Sequence, residues 1–171
     1  DKDVEKLKEL IAALSKDMEK EDVFFQAQAY YSLATATDSV SKLSGERGDA
    51  RKASLKKQLY YYRKALRLME LPEFKDGEIM RYACSLQACI ATNYGNALVE
   101  CGRRISAIAQ YISAMGYYPF FPMAAGNLGL SYMEYAFLFR DSQAYMRDCL
   151  NHYAYVLLME AIESRDRNIS S

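Results

Sequence analysis

Residues 91–104, ATNYGNALVECGRR, and residues 125–138, AGNLGLSYMEYAFL, decide the fold of this 171-residue chain. Laid side by side, Ala91 meets Ala125, Asn93 meets Asn127, Tyr94 meets Leu128, Gly95 meets Gly129 and Leu98 meets Tyr132, each pair 34 positions apart. Self-similarity at a period of roughly 20–50 residues marks a repeat architecture, in which one supersecondary unit buries its apolar face against the next. The first unit then continues through Gly102, Ala107, Tyr111 and Ala114 to Pro119. Small residues at Gly95 and Ala107 let two helices cross closely, Tyr111 fills the adjoining gap, and Pro119 prevents the second helix from continuing.

Working outward, hydrophobic periodicity predicts seven helices. A lead helix over about 2–16 carries Val4, Leu7, Leu10, Ile11 and Leu14 on one face. A second, about 21–43, places Phe24, Ala27, Tyr31, Ala34 and Val40 at helical steps and closes on SGERG at 44–48. A third, about 52–71, carries Leu55, Leu59, Tyr62, Leu66 and Met69 and is expected to stop at Pro72, with a turn at Asp76 and Gly77. The fourth and fifth cover about 78–101 and 104–117; the last two fall near 123–139 and 143–164. Two further helix pairs fit the repeat less closely. Tyr30, Leu33 and Ala34 face Tyr62 and Ala65 in the first, while Ala125, Leu128 and Gly129 face Ala154, Leu158 and Ala161 in the last. Both carry about a dozen extra residues, around 41–54 and 140–151, relative to the 34-residue pattern.

The order apolar-Gly, large residue, Gly, Ala, aromatic, Ala and Pro resembles the tetratricopeptide (TPR) pattern, specifically over the middle third of the chain and more loosely over units at about 21–71, 78–119 and 121–164. The resemblance implies an all-α fold: one TPR-like α-solenoid of about three helical hairpins with an N-terminal lead helix, spanning residues 1–171. The irregular outer repeats, the stretch PFFPMAAGNLGLSYMEYA and the downstream AYVLLMEAIES helix are also similar to the TPR portion found ahead of HEPN domains in some prokaryotic proteins. In the TPR family the first helix of each pair lines a concave groove. Carried over, that implies a partner-binding groove of Gln28, Tyr31, Thr35 and Asp38, then Cys89, Thr92, Asn93, Asn96 and Val99, then Met123, Gly126, Asn127, Leu130 and Met133. Asn93, Asn96 and Asn127 each offer a donor and an acceptor, suited either to a partner's extended backbone or to bonding between helices. The lysines and arginine of a chaperone-type carboxylate clamp are absent from these positions.

Composition narrows the function classes. Lys plus Arg and Asp plus Glu both number 22, and this zero formal charge argues against a chain devoted to nucleic acid or to anionic membrane. Only 8 Gly and 3 Pro leave too few turns for a many-stranded β fold. No stretch is long and apolar enough for a membrane span, and residues 1–20 lack the apolar core of a signal peptide, so a soluble, cytoplasmic protein is expected. The chain opens on Asp1 rather than Met, as an excised piece or a chain with a removed tag does. Cys84, Cys89, Cys101 and Cys149 make no disulfide framework or zinc spacing, and no metal or cofactor is expected.

Two other surfaces draw attention. Lys52, Lys56, Arg63 and Arg67 share an arc of roughly 60° on the third helix, a stripe for an acidic partner or an RNA backbone, or simply a solvated face. Arg147 and His152 fit the short HEPN ribonuclease pattern, with His as general acid or base and Arg stabilising phosphate. His152 is the single histidine, and neither a Gly-rich phosphate loop nor a Ser-His-Asp set is present. The expectation is therefore a protein-interaction module binding a protein or peptide partner. The competing reading is an RNA-binding or ribonuclease-associated module, and self-association through Met123, Leu130 and Met133 is a third.

Overall fold

A computed structural model describes residues 2–18, 22–70, 79–119, 121–139 and 141–169. These residues form α1 (Lys2–Asp17), α2 (Val23–Leu43), α3 (Gly48–Met69), α4 (Ile79–Glu100), α5 (Arg104–Tyr117), α6 (Pro122–Ala136) and α7 (Ala144–Ile169), with a 3-10 turn at Asp141–Gln143 before the last. The fold is all-α. Pro72, Asp76 and Gly77, expected to end α3 and turn the chain, lie outside the described residues.

Two helices are longer than the periodicity suggests. α3 begins at Gly48 rather than Lys52, and α7 begins at Ala144 and runs on to Ile169 rather than ending near Ser164. Local chemistry sets the ends. The Asp22 carboxylate accepts the Phe25 backbone N–H at 3.0 Å and caps α2. Gly102, at φ 73°, closes α4 in the left-handed conformation that glycine adopts without a Cβ penalty, and Arg103 N–H then reaches back to Leu98 O at 2.8 Å. Pro122 opens α6, where its missing N–H costs nothing.

Sequence neighbours pack most closely, as the pairs α2–α3, α4–α5 and α6–α7, with α1 laid on α2. Residue correspondences fix the directions. Tyr31 stands by Tyr62 and Asp38 by Gln58 and Arg51, so α2 and α3 run antiparallel. Arg51 meets Glu100 and Arg63 meets Tyr94, so α3 and α4 do too. Tyr31 bonds Asn93 and Lys42 pairs with Glu100, so α2 and α4 run in the same direction.

The main core joins Tyr30, Leu33, Ala34, Tyr62, Ala65 and Met69 of the first pair to Ile90, Tyr94, Leu98, Ala107 and Tyr111 of the second, with Leu128 from α6. Burying a side chain such as Leu33 or Leu98 contributes about 1.5–3 kcal/mol each. A second cluster has Ala88, Ala91, Ala114 and Ala124 as its buried members, where α4, α5 and α6 come together, with Leu66, Met115, Tyr117 and Phe121 packed around them. Two of the helix pairs approach closely at glycines 34 residues apart. A Cβ on Gly95 would fall 2.4 Å from Tyr111 Cε1, and one on Gly129 would fall 2.9 Å from Leu158 Cγ and 3.1 Å from Ala154 O. Among the described residues, no helix is long and apolar enough to cross a membrane.

Candidate functional site

The same-direction run of α4 and α6 leaves an open cleft of about 290 Å³ between them. Its walls are Asn96, Val99 and Glu100 from α4, Asn127, Leu130 and Glu134 from α6, with Tyr111 of α5 behind. At its floor, Asn127 Nδ2 donates to Asn96 Oδ1 at 2.9 Å, and the Tyr111 hydroxyl donates to the same oxygen at 2.9 Å. Burial pushes the Tyr111 phenol up to about 12, which keeps it protonated as that donor. Asn96 Oδ1 thus accepts two hydrogen bonds, whereas the Asn96 amide nitrogen and the Asn127 side-chain Oδ1 have no protein partner among the described residues; both side chains line the cleft. One donor and one acceptor stand ready beside exposed Leu130.

The rim charges are already paired. Glu134 bonds Arg104 of α5. Glu100 bonds Arg51, which also donates to Asp38 at 2.9 Å, and Lys42 adds a contact to Asp38 at 2.7 Å and to Glu100 at 3.7 Å. This network ties α2, α3 and α4 together at one end. Burial pushes the Asp38 carboxyl up, but hydrogen bonds from Lys42 and Arg51 outweigh it and hold the group below the usual carboxylate range.

Of the residues expected in a groove, the structure therefore brings Asn96, Val99, Asn127 and Leu130 into one cleft. Exposed Met123 and half-buried Gly126 and Met133 lie on the same helix, α6. Asn93 instead spends its amide on the neighbouring helix, donating from Nδ2 to the Tyr31 hydroxyl at 2.9 Å. Burial raises the Tyr31 phenol above its ordinary value, assisted by nearby Cys89, whose thiol burial also pushes up. Thr35 turns its hydroxyl onto the carbonyls of Tyr31 and Ser32, while Gln28 is exposed. Thr92 does not line the surface: it is 1% exposed and bonds its hydroxyl to Ala88 O at 2.8 Å. Glu100, Ser131 and Glu134 were not singled out from the sequence, where Tyr111 reads as a packing residue alone. Their signal was spacing, since Glu100 follows Asn96, and Ser131 follows Asn127, by four residues, one helical turn.

The other surfaces are simpler. Lys52, Lys56, Arg63 and Arg67 are all exposed on α3. Lys52 pairs with Asp49 at 3.1 Å and Arg63 reaches the Tyr94 hydroxyl at 3.5 Å. Asp49 and Glu70 fall in the same arc at roughly 100° per residue, so the stripe is closed by a carboxylate at each end. Arg147 and His152 share α7 but stand roughly 140° apart around it. Arg147 is bound to Asp141 at 3.1 Å and Asp148 at 3.6 Å, and exposed His152 lies against the Tyr153 ring. The structure brings no bond between them. Among the described residues, no group of three or more His, Cys, Asp or Glu side chains is placed to hold a metal ion.

No protein-family model matches the chain, and no curated protein matches it.

Proposed function

We propose that the chain is a TPR-like α-solenoid of three helix pairs led by α1, and that it serves as a protein-interaction module holding an extended partner segment in the cleft between α4 and α6. The 34-residue offset, the equivalent close approaches at Gly95 and Gly129, and the pairing of each helix with its sequence neighbour support the architecture. One observation carries the function. Asn96 and Asn127 hold each other in place and both line an open cleft, each with a hydrogen-bonding group left without a partner among the described residues, and a peptide unit offers the complementary carbonyl and N–H. Because Glu100 and Glu134 are committed to Arg51 and Arg104, recognition there rests on the amide pair and on apolar Leu130.

The test is a photo-crosslinking amino acid placed at Leu130 and, as a control, at Tyr60, which is exposed on α3. A discrete protein adduct is expected at position 130 and not at 60. Asn127→Ala weakens its formation about tenfold, the worth of about one hydrogen bond left unmade in a binding site. Equal labelling at both positions, or adducts indifferent to Asn127→Ala, defeats the proposal.

A further inference from the structure

α7 is apolar on both sides. One side is accounted for: Ala154 is buried, and Leu158 and Ala161 lie against Gly129 and Gly126 of α6. The other side leaves Tyr145, Tyr153, Tyr155, Val156, Met159 and Ile162 in solvent, with Tyr145 at 79% exposure and Val156 at 47%. A run of large apolar side chains left exposed on one side of a helix marks an interaction surface. One line of residues runs down the middle of this side, with Tyr153, Tyr155 and Ile162 flanking it. Tyr145, Cys149, His152, Val156, Met159 and Glu163 succeed one another by alternating steps of four and three, the spacing of about 3.5 that holds a seam against a partner helix.

We propose that this seam pairs with the same seam of a second copy of the chain, the two α7 helices lying antiparallel about a two-fold axis at the level of Ala154. The spacing of the seam and the area it offers suit a second copy, and charge favours the antiparallel direction. Antiparallel pairing sets Tyr145 opposite Glu163 of the second copy, Cys149 opposite its Met159 and His152 opposite its Val156. In the flanking rows Glu160 comes beside Met146 and Asp148 beside Ile162. Among the described side chains of this face, each carboxylate meets an apolar neighbour or a phenol hydroxyl able to donate to it, and no two carboxylates stand opposite one another. A parallel pair in register stacks Glu163, on the seam, on its own equivalent, which costs energy at that layer. The area is sufficient. Three exposed tyrosines, at roughly 150–250 Å² for a buried ring, together with Val156, Met159 and Ile162 bring on the order of 700 Å² per copy. Stable interfaces bury about 800 Å² per partner.

Sedimentation equilibrium of the 171-residue chain at about 10–100 µM, a range that spans the weaker affinities of interfaces this size, is expected to give a species of twice the 19.5 kDa chain mass. Val156→Glu sets a carboxylate in the middle of the seam and raises the dissociation constant about 100-fold or more. Adding His152→Lys to that variant places an ammonium opposite each new carboxylate across the axis and recovers association to within about tenfold of the parent. Both positions are exposed, so helical circular dichroism should be unchanged; Tyr145→Lys, at the end of the seam, is a second disrupting variant should Val156→Glu lose helix. A parent that sediments as a monomer throughout overturns the proposal, including the case in which it captures a different protein through α7. So does a dimer that survives both Val156→Glu and Tyr145→Lys, or a Val156→Glu, His152→Lys chain that stays monomeric.

Discussion

At the scale of single residues, the glycines divide by what stands opposite them. A Cβ at Gly129 meets the Ala154 carbonyl, which is backbone of a packed helix and cannot swing aside, and a Cβ at Gly95 meets the Tyr111 ring, which is buried and tethered to Asn96. Gly129→Ala and Gly95→Ala therefore force the paired helices apart, a cost of about 1–3 kcal/mol that exceeds the roughly 1 kcal/mol alanine gains in helix propensity. Gly116 has nothing within 4 Å of an added Cβ and Gly126 only ordinary contact with Ala161, so Gly116→Ala and Gly126→Ala keep that gain and stabilise. Urea midpoints of the four variants check the split, and equal shifts for all four would contradict it. This distinction was half legible in the sequence. The 34-residue echo of Gly95 at Gly129 pointed to close approach, because only packing asks for glycine in mid-helix twice at one period. Thr92 shows the limit. It sits one turn before Asn96 on nearly the same face, yet Ala88, Ala91 and Ala124 draw α4 and α6 together at its level and close the surface that stands open at Asn96. Where a groove shuts depends on the distance between two helices, and no single helix pattern encodes it.

At the scale of the element, α2, α3 and α4 are bound by a ladder of tyrosines. Tyr31 and Tyr62 stand 6.3 Å apart between ring centroids, as do Tyr62 and Tyr94. Burial pushes the Tyr62 phenol far above its ordinary value of 10.0, with Tyr31, Asp38 and Glu100 adding to it, and Tyr31 and Tyr111 are raised as well. The folded state thus holds these protons more tightly than the unfolded chain. Below pH 10 both states are protonated and the full stability is present; from pH 10 upward the unfolded chain ionises first, and stability falls as pH rises toward the folded values. The urea midpoint is expected to decline steadily between pH 10 and about 12, and Tyr111→Phe to flatten part of that decline; a midpoint independent of pH over this window would contradict it. The core role of Tyr62 was readable from its place in the apolar arc of α3, since burial follows from period alone. The polar attachments of these helices were not readable. Arg51 was passed over beside the four stripe residues, although it bonds Asp38 and Glu100 and joins three helices, because its partners stand 13 and 49 residues away in sequence.

At the scale of the molecule, the packing is uneven along the chain. The main core spans the first two helix pairs as one body and takes from the third only Leu128 as a fully buried member, with Tyr132 and Leu157 at its margin. The junction of α5 with α6 otherwise rests on small alanines with partly buried Met115, Tyr117 and Phe121 packed beside them, and on the Arg104–Glu134 pair at the surface, where an exposed ion pair contributes about 0–1 kcal/mol. An array held by contacts between neighbours has a stability close to the sum of its units and junctions, so a weak junction lets one end open before the rest. Leu128→Ala removes about 2–5 kcal/mol at the place where the third pair is anchored to the main core. Native-state hydrogen exchange of this variant should show amides of α6 and α7 losing protection while those of α2, α3 and α4 keep theirs. A uniform loss over all helices would mean that the α5–α6 junction transmits as strongly as the interior of a pair. The same unevenness bears on the two surfaces proposed above, which both involve the third pair: the cleft uses α6 as one wall, and the self-pairing seam lies on the far side of α7. Covering that seam with a second copy stabilises the pair that the monomer holds least firmly. In a chain that dimerises, the loss of α6 and α7 protection in Leu128→Ala should therefore be greater at dilution than at high concentration, and greater again when Val156→Glu is added.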